Sequence, residues 1–185
     1  MAVQFFQKDV IESDRCANGY TITPHEIDRG AFGSIHYAKK NDKTYIAKRI
    51  RTDLVEKEWK TRFRQEPKFM KKLSGHRNIV KYIDSFEVQN EIFIIMEFCE
   101  EGNMAKYFEH NNTDKRILDP LTPFKLDIML QVCGGLLKLH NEKIVHRDLK
   151  PDNILFCRDG EKVVAKLTDL GLSKEWSKEC ENQVF

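Results

Sequence analysis

The chain has 185 residues, 41% hydrophobic and 32% charged, with a formal charge of +2 at neutral pH. This is the make-up of a globular domain with a core, and it gives no general pull toward nucleic acid or an anionic membrane. The longest interior apolar run, Ile92-Phe93-Ile94-Ile95-Met96, is far shorter than the roughly 20 residues of a membrane-spanning helix. Met1 to Ser13 carries Gln7, Lys8 and Asp9 and has no signal-peptide pattern, so membrane and secreted classes are excluded. The cysteines (Cys16, Cys99, Cys133, Cys157 and Cys180) are odd in number and contain no CxxC pair. They suit neither a zinc site nor a disulfide framework, and read as reduced thiols of a cytoplasmic or nuclear protein.

Tyr20 to Ile27, Gly30 to Ala38 and Thr44 to Ile50 alternate apolar stretches with turn residues, which predicts a three-stranded antiparallel meander. Asn41-Asp42-Lys43 is the turn between the last two. Asp53 to Leu73 is charged, with Trp59, Phe63, Phe69, Met70 and Leu73 at helical intervals. Pro67 lacks an amide hydrogen and clashes with the preceding turn, so it should kink this helix or divide it. Ile79 to Phe86 and Glu91 to Phe98 read as two further strands around a Gln89-Asn90 turn. Met104 to His110 is a short helix, and a loop with Asn111-Asn112 and Asp119-Pro120 follows. A long apolar helix runs from Phe124 to His140, with Thr122-Pro123 as its start. Ile154 to Cys157 and Val163 to Leu167 are short strands about an Arg158-Asp159-Gly160 turn. Ser173 to Phe185 is polar and has no period. The order, strands first and helices after, predicts an α+β fold.

The segment Ile144-Val145-His146-Arg147-Asp148-Leu149-Lys150-Pro151-Asp152-Asn153-Ile154-Leu155 matches the catalytic-loop signature of protein kinases at every defined position. Asp169-Leu170-Gly171, after a strand, resembles the magnesium-binding Asp-Phe-Gly element with leucine in the middle. Ile27-Asp28-Arg29-Gly30-Ala31-Phe32-Gly33-Ser34-Ile35 resembles the glycine-rich loop, with Asp28 where the first glycine is usual. Tyr45-Ile46-Ala47-Lys48 resembles the strand that carries the phosphate-contacting lysine, with Ile46 where alanine is usual. Met96 to Met104 resembles the hinge between lobes. On these five ordered elements the chain is identified as a member of the eukaryotic-type protein kinases, over Tyr20 to Lys174.

The resemblance implies a two-lobed fold: an N-terminal extension (1–19), a five-stranded antiparallel N-lobe with one helix (20–98), a hinge (99–103) and a partial, mainly helical C-lobe (104–185). It implies ATP and Mg²⁺ as cofactors and a protein substrate. Phosphoryl transfer has a loose transition state, so catalysis is mostly positioning and charge neutralisation. Asp148 would orient the substrate hydroxyl and accept its proton, and Lys150 would set a cation near the γ-phosphate. Asn153 and Asp169 would ligate Mg²⁺. Ile27, Gly30, Gly33, Ile35, Lys48 and Leu155 would surround the nucleotide, and Glu66 would pair with Lys48. Backbone groups of Glu97 and Cys99 would bond adenine, and Asn103 would reach ribose. Pro67, next to Glu66, should distort the helix where that pair forms. Asp28 should weaken nucleotide binding. Met70, Tyr82, His146 and Leu170 would form an apolar column.

Lys150-Pro151-Asp152-Asn153 resembles the serine/threonine-specific form of the loop. Arg147 suggests regulation by a phosphorylated activation segment, for which Ser173 and Ser177 are the nearby hydroxyls. The sequence ends at Phe185 without the family's Ala-Pro-Glu element. The helix Phe124 to His140 should then expose apolar surface and need a regulatory or stabilising partner. Two readings follow: a serine/threonine protein kinase with low activity in these 185 residues, or a non-catalytic truncated product or pseudokinase that binds nucleotide or a partner.

Overall fold

The structure is a computed structural model that describes residues 14–30, 33–53, 56–114, 117, 119 and 122–176. Residues 1–13 of the expected extension, Ala31, Phe32, Pro120, Ser177 and Cys180 lie outside the described residues. Two compact units emerge. One holds the described part of 1–55 with Ile83–Met96, the other that of 56–82 and 97–185.

The first unit is a sheet of strands β1 (Arg15–Ala17), β2 (Tyr20–Gly30), β3 (Gly33–Lys40), β4 (Lys43–Arg51), β5 (Tyr82–Val88) and β6 (Glu91–Glu97), in the order β1-β2-β3-β4-β6-β5. It has six strands where five were expected. The additional one, β1, lies in the stretch assigned to the extension and pairs antiparallel with Tyr20–Ile22. Its turn is Asn18-Gly19, both at positive φ (51° and 77°), the conformation that Asn-Gly adopts most readily in a two-residue hairpin. Asn41-Asp42 (50° and 59°) and Gln89-Asn90 (49° and 64°) make the same kind of turn, so Lys43 belongs to β4 and not to the turn.

Tyr20, Ile22, Ala38, Ala47, Phe93 and Ile95 are buried together on one face of this sheet, with Tyr45, Ile83 and Phe86 at the margin. Phe86 stacks on Phe93 with centroids 5.3 Å apart. Alternation along β4 puts Arg49 on the same face as Ala47 and Lys48 on the other. Arg49 Nε donates to Glu91 Oε1 at 2.7 Å, and Arg15 of β1 also pairs with Glu91. The unexpected strand is therefore tied down by an ion pair as well as by its ladder.

In the second unit, the single helix expected over 53–73 is two: α1 (Lys57–Phe63) and α2 (Glu66–Leu73). Pro67 sits in the first turn of α2, where its missing N–H deprives no helical bond of a donor and its fixed φ suits the helix. It divides the helix and does not distort the second part. Helix α3 (Met104–His110) is capped by Asn103, whose Oδ1 accepts from Lys106 N–H at 2.8 Å. Helix α4 (Pro123–Asn141) starts on the Thr122 hydroxyl, which accepts from Lys125 N–H at 3.3 Å.

Strands β8 (Ile154–Asp159) and β9 (Lys162–Leu167) form a hairpin. Its outer partner is not a strand but a helix and a loop. Gln131 of α4 accepts Ala165 N–H at 2.8 Å and donates to Val163 O at 3.2 Å. Asn78 Nδ2 donates to Ala165 O at 2.9 Å, Leu167 N–H to Asn78 O at 2.9 Å, and Val80 N–H to Leu167 O at 2.9 Å. A Cβ on Gly135 of α4 would lie 2.7 Å from Asn78 O and 2.9 Å from Leu167 Cδ1, so glycine is what lets the helix come this close. Two short strands that carry no sequence period, β7 (Ile144–Val145) and β10 (Lys174–Glu175), pair antiparallel. Ile79, expected to open a strand, makes only an isolated parallel bridge to Leu167.

Helix α4 buries Ile128, Gly135 and Leu139. Leu126, Met129, Leu130 and Leu137 remain 44%, 59%, 72% and 61% exposed, the apolar surface expected of this helix.

Candidate active site

The loop after β7 is organised by His146, which is buried. Its Nε2–H donates to Thr168 O at 2.9 Å, and its Nδ1 accepts Asp148 N–H at 3.3 Å. The bond accepted at Nδ1 requires the neutral ring, and burial holds the His146 pKa below its usual value, against the opposing pull of the Thr168 carbonyl. Ser173 Oγ donates to His146 O at 3.2 Å. Ser173 is thus buried and engaged, and not the accessible hydroxyl expected of a phosphorylation site.

Asp148, Lys150 and Asn153 come together. Lys150 Nζ donates to Asp148 Oδ2 at 2.9 Å, and Asn153 Nδ2 donates to the same oxygen at 2.9 Å and to Asp148 O at 2.8 Å. The hydrogen-bonded Asp148 carboxylate holds the Lys150 ammonium above its usual pKa. A turn of 3₁₀ helix, Pro151–Asn153, sets the spacing, and Thr168 N–H donates to Asn153 O at 3.0 Å. Since the Asn153 amide nitrogen is spent on Asp148, its oxygen is left as an acceptor, as a hard cation requires. Asp169 follows Thr168 directly, at φ 59°, and its Oδ1 accepts Gly171 N–H at 3.3 Å. Among the described residues no three His, Cys, Asp or Glu cluster as a metal site. An amide oxygen and a carboxylate fit Mg²⁺ only with phosphate and water oxygens completing the shell.

Arg147 is exposed and carries φ 68°, a left-handed conformation that costs a residue of this type about 1–2 kcal/mol. Met70, His146 and Leu170 are each about 2% exposed, and Tyr82 is half-buried.

On the remaining segments of this unit, Glu66 is 1% exposed at the start of α2. Glu97 N–H donates to Lys81 O at 3.1 Å, and its carboxylate takes Lys166 Nζ at 2.7 Å, which leaves its carbonyl as the backbone group to offer a ligand. Cys99 is buried, and its carbonyl accepts from Gly102 N–H at 3.2 Å. Asn103, expected to reach ribose, has its side-chain oxygen in the α3 cap. Only its amide nitrogen remains for that task. Leu155 is half-buried and bridges to Asn103.

In the sheet unit, Lys48 is 5% exposed and lies opposite Ile35 in the β3–β4 register, with Tyr37 opposite Ile46. Ile35, Ile46 and Lys48 therefore share a face. Ile27 is half-buried on β2, and Gly30 and Gly33 pair across the tip of the β2–β3 hairpin. The two glycines differ. A Cβ at Gly30 would meet nothing closer than 3.8 Å, whereas one at Gly33 would lie 2.3 Å from Arg49 O. Gly33 is thus demanded by the approach of β3 to β4 as well as by any phosphate. Asp28 is exposed, and its Oδ1 accepts the N–H of Arg29 at 2.8 Å.

Two contributors escaped the sequence reading, Asn78 and Gln131. Both act on backbone groups of β9, far away in the chain, and no local pattern marks them.

Asp148, bonded by the lysine two residues on and the asparagine five residues on, thus sits in a loop that carries the protein kinase signature, on an α+β fold. Residues 22–185 match the protein kinase domain family, and the chain belongs to that family. It is similar to the serine/threonine-protein kinase nekl-2 of Caenorhabditis elegans (36% identical over 159 residues, 80% of this chain and 43% of that protein). It is also similar to CDPK-related kinase 4 of Arabidopsis thaliana (32% over 160 residues, 80% and 25%) and to the serine/threonine-protein kinase Nek5 of Homo sapiens (33% over 154 residues, 80% and 20%). The chain spans less than half the length of each of these relatives. A protein kinase domain uses ATP, typically with Mg²⁺, and acts on proteins. No helix among the described residues is long and apolar enough to cross a membrane.

Proposed function

We propose that this chain carries the catalytic machinery of a serine/threonine protein kinase, which transfers the γ-phosphate of ATP to a protein hydroxyl. The observation that carries this reading is the convergence of Lys150 Nζ and Asn153 Nδ2 on Asp148 Oδ2. Asp148, so held, orients the attacking hydroxyl and takes its proton as the P–O bond forms. Lys150 keeps its charge beside the carboxylate and faces the charge that develops on the transferred group. Asn153 Oδ1 and the Asp169 carboxylate are the ligands for Mg²⁺, which neutralises phosphate charge when bound. In the sheet unit the residues read as nucleotide-contacting are Ile27, Gly30, Gly33, Ile35 and Lys48, and in the second unit they are Glu97, Cys99 and Leu155.

The test is transfer of labelled phosphate from Mg·ATP to a general serine/threonine acceptor such as casein. Asp148→Asn is expected to lower the rate by about 10²–10⁴-fold while ATP binding is retained. Transfer unchanged in Asp148→Asn sinks the reading. ATP binding unaffected by Lys48→Ala removes the pocket from it. The four exposed apolar residues of α4 favour a second reading, in which the chain acts by binding a partner protein. That reading expects nucleotide binding without transfer.

A further inference from the structure

Glu97 ends β6 and is held from two directions. Its N–H donates to Lys81 O at 3.1 Å, and its Oε1 accepts Lys81 N–H and Lys166 Nζ, each at 2.7 Å. The residues after it are stitched to β8. Glu101 N–H donates to Phe156 O at 3.2 Å, Phe156 N–H donates to Gly102 O at 2.8 Å, and Arg158 N–H donates to Glu100 Oε1 at 2.9 Å. The bond from Lys166 ties Glu97 itself to the same hairpin, through β9.

Lys166 stands on a fixed stretch of strand. Gln131 Oε1 accepts the Ala165 N–H before it at 2.8 Å, and the Leu167 N–H after it donates to Asn78 O at 2.9 Å. The side chains of Lys166 and Glu97 are 14% and 25% exposed, and they line a cleft of about 260 Å³ with Arg77, Arg158 and Asp159. Arg77 pairs with Asp159 at 2.9 Å and Arg158 pairs with Glu101, so neither arginine competes with Lys166 for Glu97. A pair withdrawn this far from water is stronger than an exposed one, and losing one member leaves the other charge uncompensated.

We propose that Lys166 is a positioning residue that sets base specificity: its ion pair with the Glu97 carboxylate fixes the Glu97 carbonyl, the backbone group left to bond adenine. The inference rests on the proposed kinase function and on that assignment of Glu97. Adenine carries an amino donor where guanine carries a carbonyl acceptor. A carbonyl oxygen held in place accepts from the first and repels the second. One free to turn away loses both effects, and discrimination between the bases falls. Leu155, also read as nucleotide-contacting, lies directly opposite Lys166 in the β8–β9 register, which sets the lysine beside a second residue of the same site.

The test measures the Kd of Mg·ATP and of Mg·GTP on the full chain and its variants, and follows hydrogen exchange of the amides of 97–102 without nucleotide. Lys166→Met is expected to weaken ATP by about three- to tenfold, between the loss of an exposed pair and the breaking of a buried one, and to leave GTP unchanged or tighter. Lys166→Arg, which keeps the charge, should restore the preference for ATP. Glu97→Gln should repeat Lys166→Met, and the two together should be no worse than either alone. The amides of Glu97 and Glu101 should exchange faster in Lys166→Met. Equal loss of ATP and GTP, unchanged ATP affinity, unchanged exchange, or no recovery in Lys166→Arg overturns the proposal. If Lys166→Met does not fold, Glu97→Gln carries the same comparison, since its amide oxygen still accepts Lys81 N–H. A chain that prefers ATP without any dependence on Lys166 removes this inference and leaves the kinase reading standing. An unsubstituted chain that binds neither nucleotide, or both alike, overturns the adenine assignment of Glu97 and this inference with it.

Discussion

The hairpin sheet and the catalytic loop both depend on residues at positive φ, but on different kinds for different reasons. In the sheet these are Asn18, Gly19, Asn41, Asp42, Gln89 and Asn90, nearly all residue types that tolerate this conformation and make tight turns. In the loop they include Arg147 and Asp169, and Arg147 gains nothing locally from it. It is held there by its surroundings: His146 bonded to Thr168 and Asp148 on one side, and Asn153 bonded to Asp148 on the other. Local turn chemistry builds the scaffold. Long-range bonds impose strain on the candidate catalytic loop.

The largest effect should come from breaking the long-range set at its centre. Leu167, 1% exposed, lies on β9 where Asn78, Val80 and Gly135 meet. Leu167→Ala is expected to cost about 2–5 kcal/mol in denaturant unfolding, and a cost well below that would mean the seam is looser than drawn. Next comes Gly33→Ala, whose Cβ meets Arg49 O. It should cost about 1–3 kcal/mol, and the loss should appear in thermal unfolding without any nucleotide present. A loss confined to nucleotide-bound samples would return Gly33 to a purely phosphate-binding role.

The third test separates the two kinds of positive φ. Gly19→Ala should destabilise by about 1–2 kcal/mol because it forces a Cβ into the left-handed region. Arg147→Gly should be neutral or stabilise by up to about 1 kcal/mol, the relief of strain exceeding the entropic cost of glycine. Destabilisation by Arg147→Gly would show that the side chain, not the surroundings, holds the loop.

The smallest effect is a pH dependence shared by both units. His36 in the sheet and His146 in the loop both have their pKa lowered, by burial first. His36 uses Nδ1–H toward Thr23 O at 3.0 Å and takes the Ser34 hydroxyl on Nε2 at 2.8 Å. His146 uses the opposite tautomer. Folded, each is neutral; unfolded, each binds a proton below a pH of about 6.5. Their contribution is therefore complete above about 6.5 and is lost as pH falls from there through the folded values. The melting temperature should decline over that range, and His36→Asn or His146→Asn should each flatten part of the decline. An unchanged slope in both variants would place the acid sensitivity elsewhere.

What could be read in advance follows the same divide. The strands around Asn41-Asp42, Gln89-Asn90 and Arg158-Asp159-Gly160 were legible because turn and alternation are local signals. Asn18-Gly19 was equally legible, and β1 was missed only because the stretch before Tyr20 was set aside as an extension. Of the candidate site, Asp148, Lys150, Asn153 and Asp169 were marked in the sequence by their resemblance to family motifs. Strands β7 and β10 were not, since two residues carry no period. The burial of Ser173 and the diversion of the Asn103 oxygen to a helix cap were also hidden, because each depends on a partner chosen by the fold.

By itself the sequence determined most of the order of elements and the turns at Asn41-Asp42 and Gln89-Asn90, and it marked the candidate catalytic residues by motif resemblance, since these rest on residue type and near-neighbour spacing. Only the tertiary structure decided that Pro67 starts a helix instead of bending one, and that Asn78 and Gln131 close the edge of β9. Each of those is a contact between residues distant in the chain or a choice of boundary, and its free energy exists only once packing has brought the partners together and excluded water.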